Sequence, residues 1–201
     1  MRWMMMALAL LLQAAPLPPA YPRPGTTKLF ENARVQVWDI TWLKQQYPLH
    51  RHLYDLTGVY YADGDRVIVS EAGERRPVHT NAWDTAFQLK GVTHIEEGAS
   101  DAPLHAVFVE HKEPSATGAI DPATTPAPFP NGNGKQLRDN DRSVLWEFVP
   151  PPAATPHRHR RDAVVIAFTG KTPKVTFVPR GTIHNDESAP GADRLYAIEL
   201  K

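Results

Sequence analysis

The chain has 201 residues with 22 basic and 22 acidic side chains, no cysteine, 20 prolines and 12 glycines. A chain with balanced charge lacks the basic surface that nucleic-acid binding needs, so we predict no nucleic-acid partner. The lack of cysteine excludes disulfides, thiolate metal sites and cysteine nucleophiles, so any metal must be held by histidine, carboxylate or water. The high proline content favours short strands and turns over long helices.

The chain begins with Arg2, an apolar run from Trp3 to Leu12, and a group of prolines that starts at Pro16. This order is typical of a secretory signal peptide, and the run is shorter than the ~20 residues of a membrane-spanning helix. We assign residues 1–20 to a signal peptide and proline-rich leader, and expect a periplasmic or secreted protein without membrane contact after cleavage. A buried N-terminal helix is the alternative, which the prolines disfavour because they end it at once.

Two blocks of the chain align with each other, which indicates an internal repeat. Residues 31–38 (ENARVQVW) match residues 139–146 (DNDRSVLW) at Asn, Arg and Trp. Each block then has a His-x-His segment and, further along, a Gly-x-x-His segment. The matched histidines are His50, His52 and His94 in the first block and His157, His159 and His184 in the second.

The repeat defines the predicted domain organisation. Residues 21–112 form a first repeat and residues 139–201 a second, joined by a proline- and glycine-rich linker over residues 113–138. The interval between the second and third histidines is shorter in the second block by about the length of one β-hairpin. The second repeat is therefore predicted to be a shortened version of the first.

Alternating apolar and polar residues predict β-strands in both blocks. Such runs cover residues 34–40, 67–69, 85–89, 106–109, 164–168 and 175–178. No segment after the leader has the periodicity of an amphipathic helix, which argues against a βαβ fold. The sequence predicts an all-β fold, with a sandwich or barrel in each repeat.

The two histidine motifs resemble those of the cupin superfamily of small jelly-roll barrels. In the second block, PKVTFVPRGTIH at residues 173–184 is similar to the second cupin motif, with Pro-Lys where Gly-Asp is usual. The resemblance covers residues 30–112 and 139–201 and implies two jelly-roll barrels in one chain, the second shortened. The sequence departs from the family pattern at Leu56 and Ala163, where metal-binding cupins usually have a glutamate ligand.

The spacing of the histidines predicts a metal site. Residues two apart on a strand share a face, so His50 and His52 both point into the barrel, and His94 completes three imidazoles. Neutral imidazoles suit a divalent transition metal such as Fe, Zn, Ni, Mn or Cu, with open positions for a substrate. The second block offers the same ligands in a barrel that its missing hairpin should open to solvent: His157, His159 and His184. The alternative is that the histidines only form hydrogen bonds in the barrel mouth.

Other side chains near the motifs have predicted roles. Tyr54 and Arg161 fall on the histidine face of their segments and are candidate substrate-binding residues. Asp55 and Asp162 lie three residues after the second histidine of each motif, which turns them to the opposite face, where we expect them to accept backbone hydrogen bonds.

Two further predictions concern charged and histidine side chains outside the motifs. Glu110 and Glu199 are expected to form structural ion pairs with Arg34 and Arg142. The histidines without a counterpart in the other block are expected at the surface or in loops: His79, His105 and His111.

These features support three hypotheses about function. The first is a metal-dependent cupin of the cell envelope, such as a small-molecule dioxygenase or isomerase. The second is a metal-free cupin that binds a small ligand, and the third is a structural cupin whose edge strands pair with another protomer, as in a homodimer. The fold alone does not choose among them, because one jelly-roll scaffold carries many chemistries.

Overall fold

The computed structural model describes residues 16–112, 129, 133–152, 155–185 and 191–201. Residues 1–15 of the predicted signal peptide and leader, and residues 113–128 and 130–132 of the predicted linker, lie outside the described residues. Every regular element in the described part is a β-strand, so the all-β prediction is confirmed. The described segments contain no helix with the length and apolar character needed to cross a membrane.

The first repeat folds into two antiparallel sheets that form a jelly-roll barrel. Its described strands are β1 (Thr26–Glu31), β2 (Val35–Trp42), β3 (His50–Arg51), β4 (Asp55–Tyr60), β5 (Gly64–Val69), β6 (Arg75–Thr80), β7 (Thr85–Gln88), β8 (Thr93–Gly98) and β9 (Leu104–His111). One sheet has the strand order β1-β2-β9-β4-β7, and the other has the order β3-β8-β5-β6.

The second repeat has the same plan with a smaller second sheet. Its described strands are β10 (Lys135–Asp139), β11 (Ser143–Phe148), β12 (His157–Arg158), β13 (Ala163–Thr169), β14 (Thr172–Val178), β15 (Ile183–His184) and β16 (Arg194–Leu200). The order is β10-β11-β16-β13-β14 in the large sheet and β12-β15 in the small one. The first strand begins at Lys135, inside the segment 113–138 that the sequence assigns to the linker.

The missing segment of the second repeat is the hairpin formed by β5 and β6. In the first barrel the chain passes from β4 through this hairpin to β7. In the second barrel β13 turns directly into β14, with Thr169 paired to Thr172. The shortening predicted from the histidine spacing is therefore confirmed.

Apolar side chains are buried in three layers. The alternation of β2 places Trp38 and Ile40 inside the first barrel and Val35 and Val37 on its outer face. Those outer residues pack against the large sheet of the second repeat, including its Ile166. The third layer fills the second barrel. Strands β4 and β13 are therefore buried on both faces, although an isolated barrel would expose one.

Two equivalent ion pairs join the repeats. Arg34 Nη1 lies 2.8 Å from Asp162 Oδ2, and Arg142 Nε lies 3.0 Å from Asp55 Oδ2. The two arginines occupy matching positions in the repeat, as do the two aspartates, so the repeats contact each other in a reciprocal way. Each aspartate also accepts a backbone N–H, as predicted: Asp55 from Lys90 and Asp162 from Arg180.

The predicted pairing of these arginines with Glu110 and Glu199 is wrong. Both glutamates point into the barrels rather than toward the opposite repeat. Glu110 accepts a 2.8 Å hydrogen bond from Trp38 Nε1 in the first barrel, and Glu199 lies 3.6 Å from His159 Nδ1 in the second. Strand alternation turns the glutamates toward the barrel interiors, and the arginines pair with the aspartates instead.

The prediction of a surface position is also wrong for His111. This side chain is buried between the repeats, and its Nε2 lies 2.9 Å from Thr57 Oγ1, which in turn lies 2.8 Å from Ser143 Oγ. It is buried because the large sheet of the second repeat covers this face of β9. His79 is exposed beside Asp65, as predicted.

The reciprocal ion pairs give a test of the contact between the repeats. We expect Arg34→Gln to lower the free energy of unfolding by about 2 kcal/mol, because it leaves the mostly buried Asp162 without its cation. Urea unfolding measures this loss. The double variant with Asp162→Asn should lose less than the sum of the two single losses. As a control, Arg75→Gln removes an exposed pair with Glu97 and should change little; equal losses for Arg34→Gln and Arg75→Gln would contradict the prediction.

His111 predicts an acid-sensitive contact. Burial lowers its pKa from the usual 6.5 to about 3, so the folded protein keeps it neutral while the unfolded chain takes up a proton below pH 6.5. Stability is therefore lost as the pH falls from 6.5 toward 3, by up to about 1.4 kcal/mol per pH unit. His111→Gln should reduce the pH dependence of unfolding between about pH 6 and pH 5 by about 1 kcal/mol. His79→Gln is the exposed control, and an unchanged slope in His111→Gln would refute this account.

Candidate metal centre

The first three histidines meet because two short strands pair. His50 lies on β3 directly opposite His94 on β8, and His52 follows β3 by one residue. All three are buried, whereas the intervening Arg51 is exposed, as the alternation predicts. The ring centres of His50, His52 and His94 are 4.8 to 5.4 Å apart.

The ring nitrogens of this group, which we call the first triad, are arranged as metal ligands would be. One nitrogen from each ring lies within 4.8 Å of the others. His50 Nδ1 is 2.9 Å from the carbonyl oxygen of Pro48, which can only accept, so its proton is on Nδ1 and its lone pair on Nε2. That Nε2 is buried without a hydrogen-bond partner among the described residues.

The other two histidines have the separation that one ion would set. His52 Nε2 and His94 Nε2 are 3.4 Å apart. Two nitrogens at ~2.1 Å from a tetrahedral zinc ion lie at about this separation. The residues present therefore fit a divalent transition metal.

Burial keeps the first triad neutral. Burial, together with the neighbouring His94, lowers the pKa of His52 to about 3. It lowers the pKa of His94 to about 4, against the opposing effect of Glu96. The pKa of His50 is also lowered by burial. At neutral pH all three rings therefore offer lone pairs, which metal coordination requires.

A buried carboxylate beside the first triad was missed in the sequence analysis. Glu96 lies two residues after His94 on β8 and on the same face, and its Oε1 is 3.9 Å from His94 Nε2. Its Oε2 lies 2.6 Å from Arg23 Nη1 and accepts a 3.1 Å hydrogen bond from Trp42 Nε1. Burial alone would raise the pKa of Glu96, but Arg23 and Arg66 outweigh it and hold the pKa below its usual range. The spacing His-x-Glu on a strand was the available signal.

The position where metal-binding cupins usually have a glutamate ligand is occupied by a buried apolar residue in each barrel. Leu56 is buried among the aromatic side chains of the first barrel and lines a cavity beside His52. Ala163 is buried in the apolar layer of the second barrel. Neither barrel therefore has a carboxylate at this position, and Glu96 supplies one from a different strand.

The second triad repeats the first in a more open setting. His157 on β12 pairs with His184 on β15, and its ring centre lies 4.2 Å from that of His184 and 5.4 Å from that of His159. One nitrogen from each ring lies within 4.8 Å of the others. Burial lowers the pKa of His159, against the opposing effect of Glu199. His184 is partly exposed, as the loss of the hairpin predicts.

Residues that precede each barrel in the chain contact its triad. The backbone N–H of Ala20 donates to the Arg51 carbonyl, and that of Phe129 donates to the Arg158 carbonyl. The next residue after Ala20, Tyr21, has its ring centre 6.0 Å from that of His52, and Phe129 lies 4.4 Å from His159. The sequence analysis missed these aromatic residues because they lie in segments without strand periodicity.

The structure does not test the two candidate substrate-binding residues. Tyr54 and Arg161 are partly buried. Neither belongs to the described residues that line the cavity beside His52. Their role in substrate binding stays a prediction.

Among the comparisons with known proteins, only solved structures match the chain, and they identify its fold. No protein-family model and no curated protein sequence matches the chain. A cupin 2 conserved barrel domain protein from Leptotrichia buccalis matches 88% of this chain and 88% of its own, with 12% identity and a TM-score of 0.50. AerE from Microcystis aeruginosa matches 92% of this chain and 98% of its own, with 13% identity and a TM-score of 0.52. The chain therefore has the cupin fold, with two jelly-roll barrels.

Proposed function

We propose that this cupin binds a divalent transition metal on His50, His52 and His94 and acts on a small molecule bound beside it. The observation that carries the proposal is the convergence of three buried, neutral imidazoles, one with an unpartnered inward nitrogen. A bound metal would supply Lewis acidity, or redox chemistry with dioxygen, so we propose an isomerase or a dioxygenase as the enzyme class.

The surrounding residues prepare the site for such a ligand. The Pro48 carbonyl fixes the tautomer of His50, in the way that outer hydrogen bonds orient metal ligands. Tyr21 packs edge-on against His52, and Leu56 gives the cavity beside His52 an apolar wall. Glu96 places a negative charge near His94 and is itself held by Arg23, so it keeps its position whether or not a cation is bound.

The second barrel supports a weaker metal site. Glu199 lies beside His159 Nδ1 and can orient that ring. The greater exposure of His184 gives water better access to an ion bound there. We therefore propose tighter binding in the first barrel than in the second.

Metal titration tests this proposal. Chelator-treated protein made without a polyhistidine tag should bind about one equivalent of Zn²⁺ tightly, with a second weaker equivalent, because three imidazoles are available in each barrel. The double variant His50→Ala, His52→Ala should lose the tight phase, and His157→Ala, His159→Ala should lose the weak one. Calorimetry measures both phases, and circular dichroism verifies the fold.

A matched control shows whether a loss of zinc binding is specific to the triads or follows from removing any two histidines. His79→Ala, His105→Ala removes two histidines outside both triads and should leave both phases unchanged. Retention of the tight phase in His50→Ala, His52→Ala would rule out the first triad as the metal site. Absence of zinc binding in the folded wild type would favour the metal-free small-ligand cupin instead.

We also propose that the mature protein is exported to the periplasm or medium. The support is the sequence of residues 1–20, with its cation, short apolar run and prolines. Intact-mass measurement of the full chain expressed in a bacterium should give a protein shortened near residues 14–20 in the periplasmic fraction or the medium. Full-length protein confined to the cytoplasm would contradict export. Pairing into a homodimer stays a prediction.

A further inference from the structure

A small cavity in the first barrel opens next to the first triad. It has a volume of about 180 Å³, room for roughly six waters at ~30 Å³ each. His52, Glu96, Arg66 and Arg76 are among the side chains that line it. Its apolar wall includes Leu56. A cavity of this size and lining accommodates a small organic molecule with a polar end.

The described side chains that line this cavity include two arginines and one carboxylate. Arg23 and Arg66 flank Glu96, so two mostly buried cations face one carboxylate. Arg23 makes the close contact with Glu96, whereas Arg66 Nη1 is 3.8 Å from it, beyond hydrogen-bond distance. Glu96 is the one acidic side chain among the described residues that line the cavity.

Arg66 is held in place by Tyr60, to which it donates a side-chain hydrogen bond, and it keeps one unused donor. Its guanidinium carbon lies 5.2 Å from the ring centre of Trp42 and 5.1 Å from that of Tyr60. Its Nε is buried and has no hydrogen-bond partner among the described residues. A buried cation and an unpaired donor are costly unless an anion compensates them. A ligand carboxylate would supply that anion.

A second arginine lies on the same face of the β5–β6 hairpin. Ile68 of β5 pairs with Arg76 of β6, and Arg66 pairs with Val78, so the two arginines are diagonal neighbours across the ladder. Such neighbours have Cα atoms about 7–8 Å apart. Arg76 is exposed at the cavity mouth, where it can attract an anion from solvent.

We propose that this cavity binds a small organic carboxylate, with the carboxylate group on Arg66 and Arg76 and the remainder beside the first triad. The inference rests on the proposed function, since it names the class of molecule that the same site takes. The apolar wall at Leu56 favours an organic acid over an inorganic anion. Because the second barrel lacks the β5–β6 hairpin that carries both arginines, carboxylate binding is confined to the first barrel.

Calorimetric titration with malonate and pyruvate tests the proposal, on both metal-stripped and zinc-loaded protein. Binding of either acid should weaken by about tenfold or more in Arg76→Gln, because a charge-assisted contact is lost. The matched control is Arg75→Gln, which removes the adjacent, outward-facing arginine paired with Glu97 and should leave binding unchanged. Malonamide, which has no charge, should not bind.

Three results would overturn the proposal. They are equal affinity in Arg76→Gln and Arg75→Gln, equal affinity for malonamide and malonate, or tighter binding of inorganic phosphate than of either acid. Arg66→Lys provides a second variant that keeps the buried charge but loses the planar donors, and it too should bind the acids more weakly. If the metal-stripped protein binds the acids through its arginines but takes up no zinc, only the metal site is refuted. If the protein takes up zinc but binds neither acid, only this inference is refuted.

Discussion

The apolar layer between the two large sheets is the contact on which the rest of the structure depends. It buries the outer face of β2, β4 and β9 against β11, β13 and β16. The second barrel needs this contact most, because its small sheet is reduced to β12 and β15. A barrel with so little of its second sheet buries little apolar surface alone, and the first repeat supplies the missing partner.

The Arg34–Asp162 and Arg142–Asp55 pairs give this layer its orientation. Apolar contacts between two sheets tolerate sliding, because they have no preferred direction. Two reciprocal ion pairs at matching positions are satisfied in only one relative placement of the sheets. The same two aspartates accept backbone N–H groups just before the Gly-x-x-His segment of each repeat, so the alignment of the repeats and the position of the triads are linked.

Much of the fold and both triads could be predicted from the sequence because they follow from local regularity. The His-x-His spacing places two rings on one face, and the repetition of the motif distinguishes it from chance. Contacts without such regularity were missed. Arg34 and Asp162 are 128 positions apart, and no periodicity connects them. His111 is buried only because a second sheet covers β9, which depends on tertiary packing. Glu96 could have been noticed, but its partner Arg23 lies in an irregular segment.

The two reciprocal ion pairs relate the repeats by an approximate two-fold symmetry. Their geometry is that of a symmetric dimer whose subunits have been joined into one polypeptide. In a dimer of identical chains every substitution occurs twice, so both sites change together. In a single chain each site can change alone, and here the two halves differ: the first has the arginine-bearing hairpin and the second lacks it, although both have three histidines. A single chain can therefore hold two different sites within one symmetric arrangement.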